Sequence, residues 1–129
     1  MKFWSILGLA VLLTTPLVAE STQPFNRATV ATIMRENIAH FRAAVEAVKE
    51  GNDYAAADAF YRLAKANESL LTMAPPQGSQ ADWDKLFHQL IDAALTGVGG
   101  AGAHQTQVMK KALEEILTTL NEGHREFRQ

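Results

Sequence analysis

A histidine, an aromatic residue and an arginine close this chain in an arrangement suited to holding a metal-bearing ring. The segment Leu120-Asn121-Glu122-Gly123-His124-Arg125-Glu126-Phe127-Arg128-Gln129 has the spacing of the C-x-x-C-H signature that attaches c-type haem, extended by x-x-aromatic-Arg. Leu120 and Gly123 stand where the two cysteines would be, and the chain contains no cysteine anywhere. The imidazole of His124 keeps the place of an axial iron ligand, whereas thioether attachment is chemically impossible. Two outcomes remain: haem held without a covalent bond, or a chain that binds none.

His124 lies four residues after Leu120 and three before Phe127, so a helix puts it on their apolar face. An imidazole directed into a core needs a hydrogen-bond partner or a metal, and a lone core histidine is usually satisfied by the former. Met34 is the second candidate donor. Its thioether is soft and neutral and suits haem iron, although a methionine on an apolar stripe also serves as packing. A first helix beginning near Asn26 carries Met34 two turns in, and His124 lies close to the end of the last segment. At ~1.5 Å per residue, an up-down bundle sets both side chains at a similar height near one end, where they could clamp a planar macrocycle. Gly123 has two readings of equal weight. Glycine inside a helix costs ~1 kcal/mol relative to alanine, so either a flat ligand needs the space above the His124 turn, or the helix frays there or is capped at Glu122.

The elements that position these residues are helices. Strand signals are nearly absent, and punctuation is sparse: Glu50-Gly51-Asn52-Asp53, then Ala74-Pro75-Pro76-Gln77-Gly78-Ser79, then Gly97-Val98-Gly99-Gly100-Ala101-Gly102. The two prolines cannot continue a helix. Three breaks give four segments, each with helical periodicity. The expected stripes are Val30, Met34, Phe41, Val45 and Val48, with Ile33 and Ile38 beside them; Tyr54, Ala57, Tyr61, Ala64 and Leu71, with Phe60 adjacent; Trp83, Leu86, Phe87, Leu90, Ile91 and Ala94; and Met109, Leu113, Ile116, Leu117, Leu120, His124 and Phe127. Four amphipathic helices with short connections predict an all-α, antiparallel up-down-up-down four-helix bundle, an architecture that builds cofactor sites between facing helices.

Ahead of the first helix, Lys2 precedes an apolar run from Phe3 to Leu13, broken only by Ser5 and Gly8, and Leu17-Val18-Ala19 ends in a small residue. That is the pattern of a secretory signal peptide over residues 1–19, too short to be retained as a spanning helix, and residues 20–129 form one domain. That pattern predicts export. With no cysteine the exported chain folds on apolar packing alone, helped by any ligand it binds. The formal net charge of −2 argues against nucleic acid, which needs a basic face.

These residues together resemble the cytochrome c prime and cytochrome b-562 superfamily, periplasmic four-helix haem proteins, over nearly the whole mature chain. The tail His124-x-x-Phe127-Arg128 is similar to both branches. Trp83-x-x-x-Phe87 resembles the aromatic pair that opens the family's third helix, and His40-Phe41 with Val48-Lys49 and Gly51 resembles the first-helix pattern of cytochrome c prime. The resemblance implies that Met34 faces the distal side of the haem. In the b-562 branch that position is a methionine bound to iron, opposite a histidine in the tail, and the haem is non-covalent. The first interhelix connection is closer to cytochrome c prime, which would shift the distal position by one turn, to Asn37 or Ile38. The departures at Leu120 and Gly123 exclude covalent haem and leave room for a haem-free relative.

The leading expectation is therefore a small periplasmic electron carrier, monomer or homodimer, with non-covalent haem b bound by His124 and Met34 and serving an unidentified redox partner. The haem pocket would be lined by Met34, Phe41, Phe87, Leu120, Gly123, His124, Phe127 and Arg128. Arg128 stands one turn beyond His124, within reach of a haem propionate, or is simply solvated. The runner-up is a haem-free bundle acting through a partner or another small ligand, and the third reading is a five-coordinate gas binder should Met34 point elsewhere. No nucleophile–base pair or paired acid and base suggests an enzyme. His40, His88 and His104 read as surface residues, and Lys110-Lys111 with Glu114-Glu115 as a solvated face supported by i, i+4 pairs.

Overall fold

The structure is a computed structural model that describes residues 23–128; the expected signal peptide, residues 1–19, lies outside them. Four helices follow one another: α1 over Arg27–Glu50, α2 over Asp53–Asn67, α3 over Gln80–Gly102 and α4 over Thr106–Phe127. A 3₁₀ turn, Glu68–Thr72, extends α2. Among the described residues the one extended pairing is a parallel bridge between Gln23 and Met73, closed by Gln23 N–H to the Thr72 carbonyl (3.1 Å) and Ala74 N–H to the Gln23 carbonyl (2.9 Å). None of the described helices is long and apolar enough to cross a membrane.

Helix starts follow from short polar side chains. Asn26, Asn52 and Ser79 each accept a hydrogen bond from a backbone N–H three residues on: Thr29, Ala55 and Asp82. Each satisfies one of the orphan donors at a helix N-terminus. Gly51 ends α1 in the left-handed conformation (φ 68°), its N–H directed at the Ala47 and Val48 carbonyls; this closure favours glycine because it has no Cβ to clash.

The helices form a four-helix bundle in which α1 packs on α2, α2 on α3 and α3 on α4, while α1 and α4 touch far less. The core runs through Ile33, Ala44 and Ala47 of α1, Ala56, Phe60 and Leu63 of α2, Leu90, Ala93 and Ala94 of α3, and Met109, Ala112 and Ile116 of α4. Small residues dominate the α1, α2 and α3 contacts and let the backbones approach closely.

Three expectations are corrected here. The run Gly97–Gly102 is not a break but the last turns of α3. A Cβ at Gly97 would stand 2.4 Å from Phe60 Cδ1, and one at Gly100 would stand 2.9 Å from a Val108 methyl. Two of the glycines are therefore notches for α2 and α4, and the packing they permit outweighs their poor propensity. The turn falls instead at Ala103–Gln105, with His104 left-handed (φ 57°). Next, α2 buries Ala56, Ala59, Phe60, Leu63, Ala64 and Asn67, whereas Tyr54 is 88% and Tyr61 54% exposed. The alternative stripe of the same helix won because alanines allow close approach and the tyrosine hydroxyls stay in water. In α4, Leu117 is 47% exposed, on the flank of the buried line.

His40 is half-buried, while His88 is exposed. His104 is also exposed, but its Nδ1 lies 2.6 Å from Asp53 Oδ2, linking the α3–α4 turn to the start of α2.

Candidate functional site

The sparse contact between α1 and α4 leaves a cleft at one end of the bundle with a volume of about 140 Å³. That is smaller than the ~300–1,000 Å³ of most small-molecule sites, so a guest of cofactor size parts the walls or extends through the open mouth. The cleft brings together Met34 from α1, Phe87 from α3, and Leu120, Gly123, His124, Phe127 and Arg128 from α4. Seven of the eight residues expected from the sequence thus share one cavity. Phe41 is the exception. It is half-buried against the core, and at ~1.5 Å per residue its backbone lies two turns beyond Met34, outside the cleft.

The inner wall is aromatic. Trp83 and Phe87 meet edge to face at a centroid distance of 4.6 Å, and Trp83 and Phe127 at 5.0 Å. Trp83 is held by an Nε1–H donation to the Leu70 carbonyl (2.6 Å), which lets a 2% exposed indole keep its polar handle satisfied. Leu86 and Leu90 continue this wall, and Val30 and Thr119 contribute from α1 and α4. Phe25 and Pro76 close the rim from the two connecting segments that the Gln23–Met73 bridge joins. Sequence reasoning missed Phe25 and Pro76 as lining because both lie outside the helices and carry no periodic signal. Thr119 is polar, so an apolar stripe along α4 passes over it.

The 74–79 connection is fastened to the end of α4. Gln77 Nε2 donates to the carbonyls of Glu126 and Arg128, both at 2.9 Å, and supplies partners to a helix end that would otherwise leave its last carbonyls to water. Gly78, left-handed at φ 77°, lies against Phe127, with an added Cβ 3.4 Å from the ring.

Gly123 does not answer to the fraying or capping reading. Helix α4 continues through Phe127, so there is neither fraying nor a cap at Glu122. Leu86 packs against it, with Cδ2 2.7 Å from where a Cβ would stand, while Gly123 also lines the cleft. Gly123 is the notch through which α3 and α4 close on each other beside the cleft.

His124 departs from expectation as well. It lines the cleft, yet the residue is exposed and stands at the mouth, not within the core. The buried line of α4 runs through Met109, Ala112, Ile116, Thr119 and Phe127, and at ~100° per residue His124 falls on its flank, one step round from Gly123.

Met34 is half-buried and lines the cleft. The one-turn alternatives do not: Ile38 is 49% exposed, and Asn37 is fully buried and paired across to α2. Asn37 Nδ2 donates to Asn67 Oδ1 (2.9 Å), and Asn67 Nδ2 donates back to Asn37 Oδ1 (2.7 Å) and to the Leu63 carbonyl (2.7 Å). Asn37 Nδ2 also lies 4.0 Å from Met34 Sδ. Nothing in the sequence linked two asparagines thirty positions apart.

No family model, no curated protein and no solved structure matches this chain.

Chemically, the cleft offers an apolar interior, an imidazole and a guanidinium at its mouth, a thioether on its α1 side, and, among the described residues, no acidic side chain in its lining. Such a lining suits a flat, largely apolar molecule with an anionic edge. Imidazole and thioether are also a donor set that suits haem iron. Among the described residues no group of three or more His, Asp or Glu side chains could hold a bare metal ion.

Proposed function

We propose that this chain is an exported, b-562-like member of the cytochrome c prime and b-562 superfamily that binds haem b without a covalent bond and carries electrons in the periplasm. The observation that carries this reading is the convergence of Met34, His124, Phe127 and Arg128 on one apolar cleft, although they come from opposite ends of the sequence. An up-down-up-down course of the helices supports it. The α1–α2 and α3–α4 links are two and three residues long, at Gly51–Asn52 and Ala103–Gln105, and such links return a helix beside its predecessor. The start of α1 and the end of α4 then share one end of the bundle.

In this reading His124 and Met34 would hold the iron, Phe87, Phe127 and Leu120 would flank the ring, and Arg128 would meet a carboxylate edge in a charge-assisted bond. The group supplies a one-electron iron couple. The chain would supply an apolar wall that excludes water and, from Met34, a soft sulfur donor.

The test is an anaerobic titration of the purified protein with haemin. The expected spectrum is sharp and low-spin on reduction, and acidified organic solvent should extract all the colour. His124→Ala should abolish or greatly weaken uptake, and Met34→Ala should yield higher-spin haem that takes carbon monoxide readily. No uptake by the wild-type protein, or an unchanged spectrum in Met34→Ala, refutes the assignment.

A second reading, a metal-free binder of an apolar ligand, is favoured by the exposure of His124. A haem-free cleft would bind an apolar anionic dye with an affinity that His124→Ala leaves unchanged, and haemin would not compete for it.

A further inference from the structure

We propose that the buried Asn37–Asn67 carboxamide pair presents the Met34 sulfur to the cleft, so that both asparagines are positioning residues for whatever the thioether meets there. The inference rests on the reading of Met34 as a donor to a ligand in that cleft.

Both side chains are fully buried and all their polar atoms are satisfied. Stability alone does not explain them. Replacing both partners of a buried polar pair with apolar groups of similar shape is often neutral or better. What an apolar pair cannot supply is a directed N–H, and here the direction is fixed by a relay. The Leu63 carbonyl accepts only from a donor, so it fixes which end of the Asn67 carboxamide is nitrogen. With that end fixed, Asn67 presents Oδ1 to Asn37 and takes its Oδ1, which fixes the Asn37 amide in turn. One Asn37 N–H is then spent on Asn67, and the other is left beside Met34 Sδ at 4.0 Å.

A methionine side chain has three rotatable bonds and no strong rotamer preference at its tip. An N–H laid against one lone pair of the sulfur limits that freedom and leaves the second lone pair for a soft ligand. The backbone of α2 thereby sets the orientation of a group on α1 that lines the cleft.

The experiment uses full-length protein with methyl-labelled methionine, the Met34 signal being identified by its loss in Met34→Leu. Asn37→Leu is compared with the double variant Asn37→Leu/Asn67→Leu, which leaves no amide unpaired and so keeps the test open if the single variant folds poorly. In the ligand-free protein the Met34 methyl should be ordered in the wild type and averaged over rotamers in both variants. A purely structural role predicts recovery in the double variant, and a wild-type-like methyl there overturns the proposal. In haemin-loaded protein the affinity for carbon monoxide should rise about two- to tenfold in both variants, corresponding to one neutral hydrogen bond. Unchanged carbon monoxide affinity, with Met34 ligation confirmed in the wild type, overturns the positioning role and leaves the haem reading standing. Failure of the wild type to take up haemin refutes the haem reading, and the methyl measurement then decides the positioning role by itself.

Discussion

Two neighbouring glycines of α3 should respond to alanine in opposite directions, and the difference can be worked from the packing. Gly97 and Gly99 lie two residues apart in the same helix. In either place alanine gains about 1 kcal/mol of helix propensity. At Gly99 a Cβ meets nothing within 4 Å, so the gain is kept. At Gly97 a Cβ would lie 2.4 to 2.6 Å from three ring atoms of Phe60. That ring is fully buried and has no room to retreat. Overpacking of this kind costs about 1–3 kcal/mol, and three simultaneous clashes place Gly97→Ala at the upper end, for a net loss of about 2 kcal/mol. At roughly 4–8 °C per kcal/mol for a domain of this size, Gly97→Ala should melt about 8–16 °C below the wild type and Gly99→Ala about 4–8 °C above it. Thermal unfolding followed by far-ultraviolet circular dichroism, with calorimetry to check two-state behaviour, measures both. If Gly97→Ala melts with or above the wild type, α2 and α3 do not approach as described. If Gly99→Ala is destabilised, that face of α3 is covered by something.

Other perturbations act nearer the cleft. Gly123→Ala moves only a flexible Leu86 methyl, so overpacking should roughly cancel the propensity gain and leave stability within about 1 kcal/mol. The displaced methyl should still weaken binding of haemin or of an apolar dye, and an unchanged dissociation constant would disconnect this notch from the cleft. Trp83→Phe removes the indole donor to the Leu70 carbonyl, which keeps the Met73 N–H as a partner at 3.2 Å, and should cost about 0.5–1.5 kcal/mol for the one lost hydrogen bond, read from denaturant midpoints; a neutral result would show that water replaces the indole. Gln77→Ala frees the last carbonyls of α4 and should speed amide exchange in the final turn of that helix, with the core of α4 unaffected. Equal acceleration along the whole helix would mean that the connection does more than fasten its end.

The helices were legible because their starts are written locally. Asn26, Asn52 and Ser79 stand before apolar-periodic runs, and Gly51 and the Pro75-Pro76 pair stop the preceding elements. The gathering of Met34 with His124 and Phe127 was legible too, because short links and helix lengths fix which ends coincide. Illegible features depended on partners distant in sequence. Gly97 reads as a helix breaker until Phe60 is known to fill the notch, and Gly123 until Leu86 does. Tyr54 and Tyr61 outweigh alanines in any tally of apolar side chains, yet the alanines pack. His124 misleads because one step of helical rotation separates the floor of the cleft from its mouth. Phe25 and Pro76 belong to connections, where no period exists to reveal them.

Trp83 gives the molecule a built-in optical gauge. The chain has two tryptophans, and the other is Trp4, so cleavage after Ala19 would leave Trp83 as the sole indole emitter of the mature chain. Its ring is 2% exposed, touches Phe87 and Phe127, and forms part of the cleft wall. Any strongly absorbing guest that settles there lies against the fluorophore and quenches its emission by energy transfer, whatever its mode of attachment. A colourless guest that displaces solvent would shift the emission without extinguishing it. Occupancy of the cleft can therefore be followed in unmodified protein, and the form of the response separates a pigment from a colourless ligand.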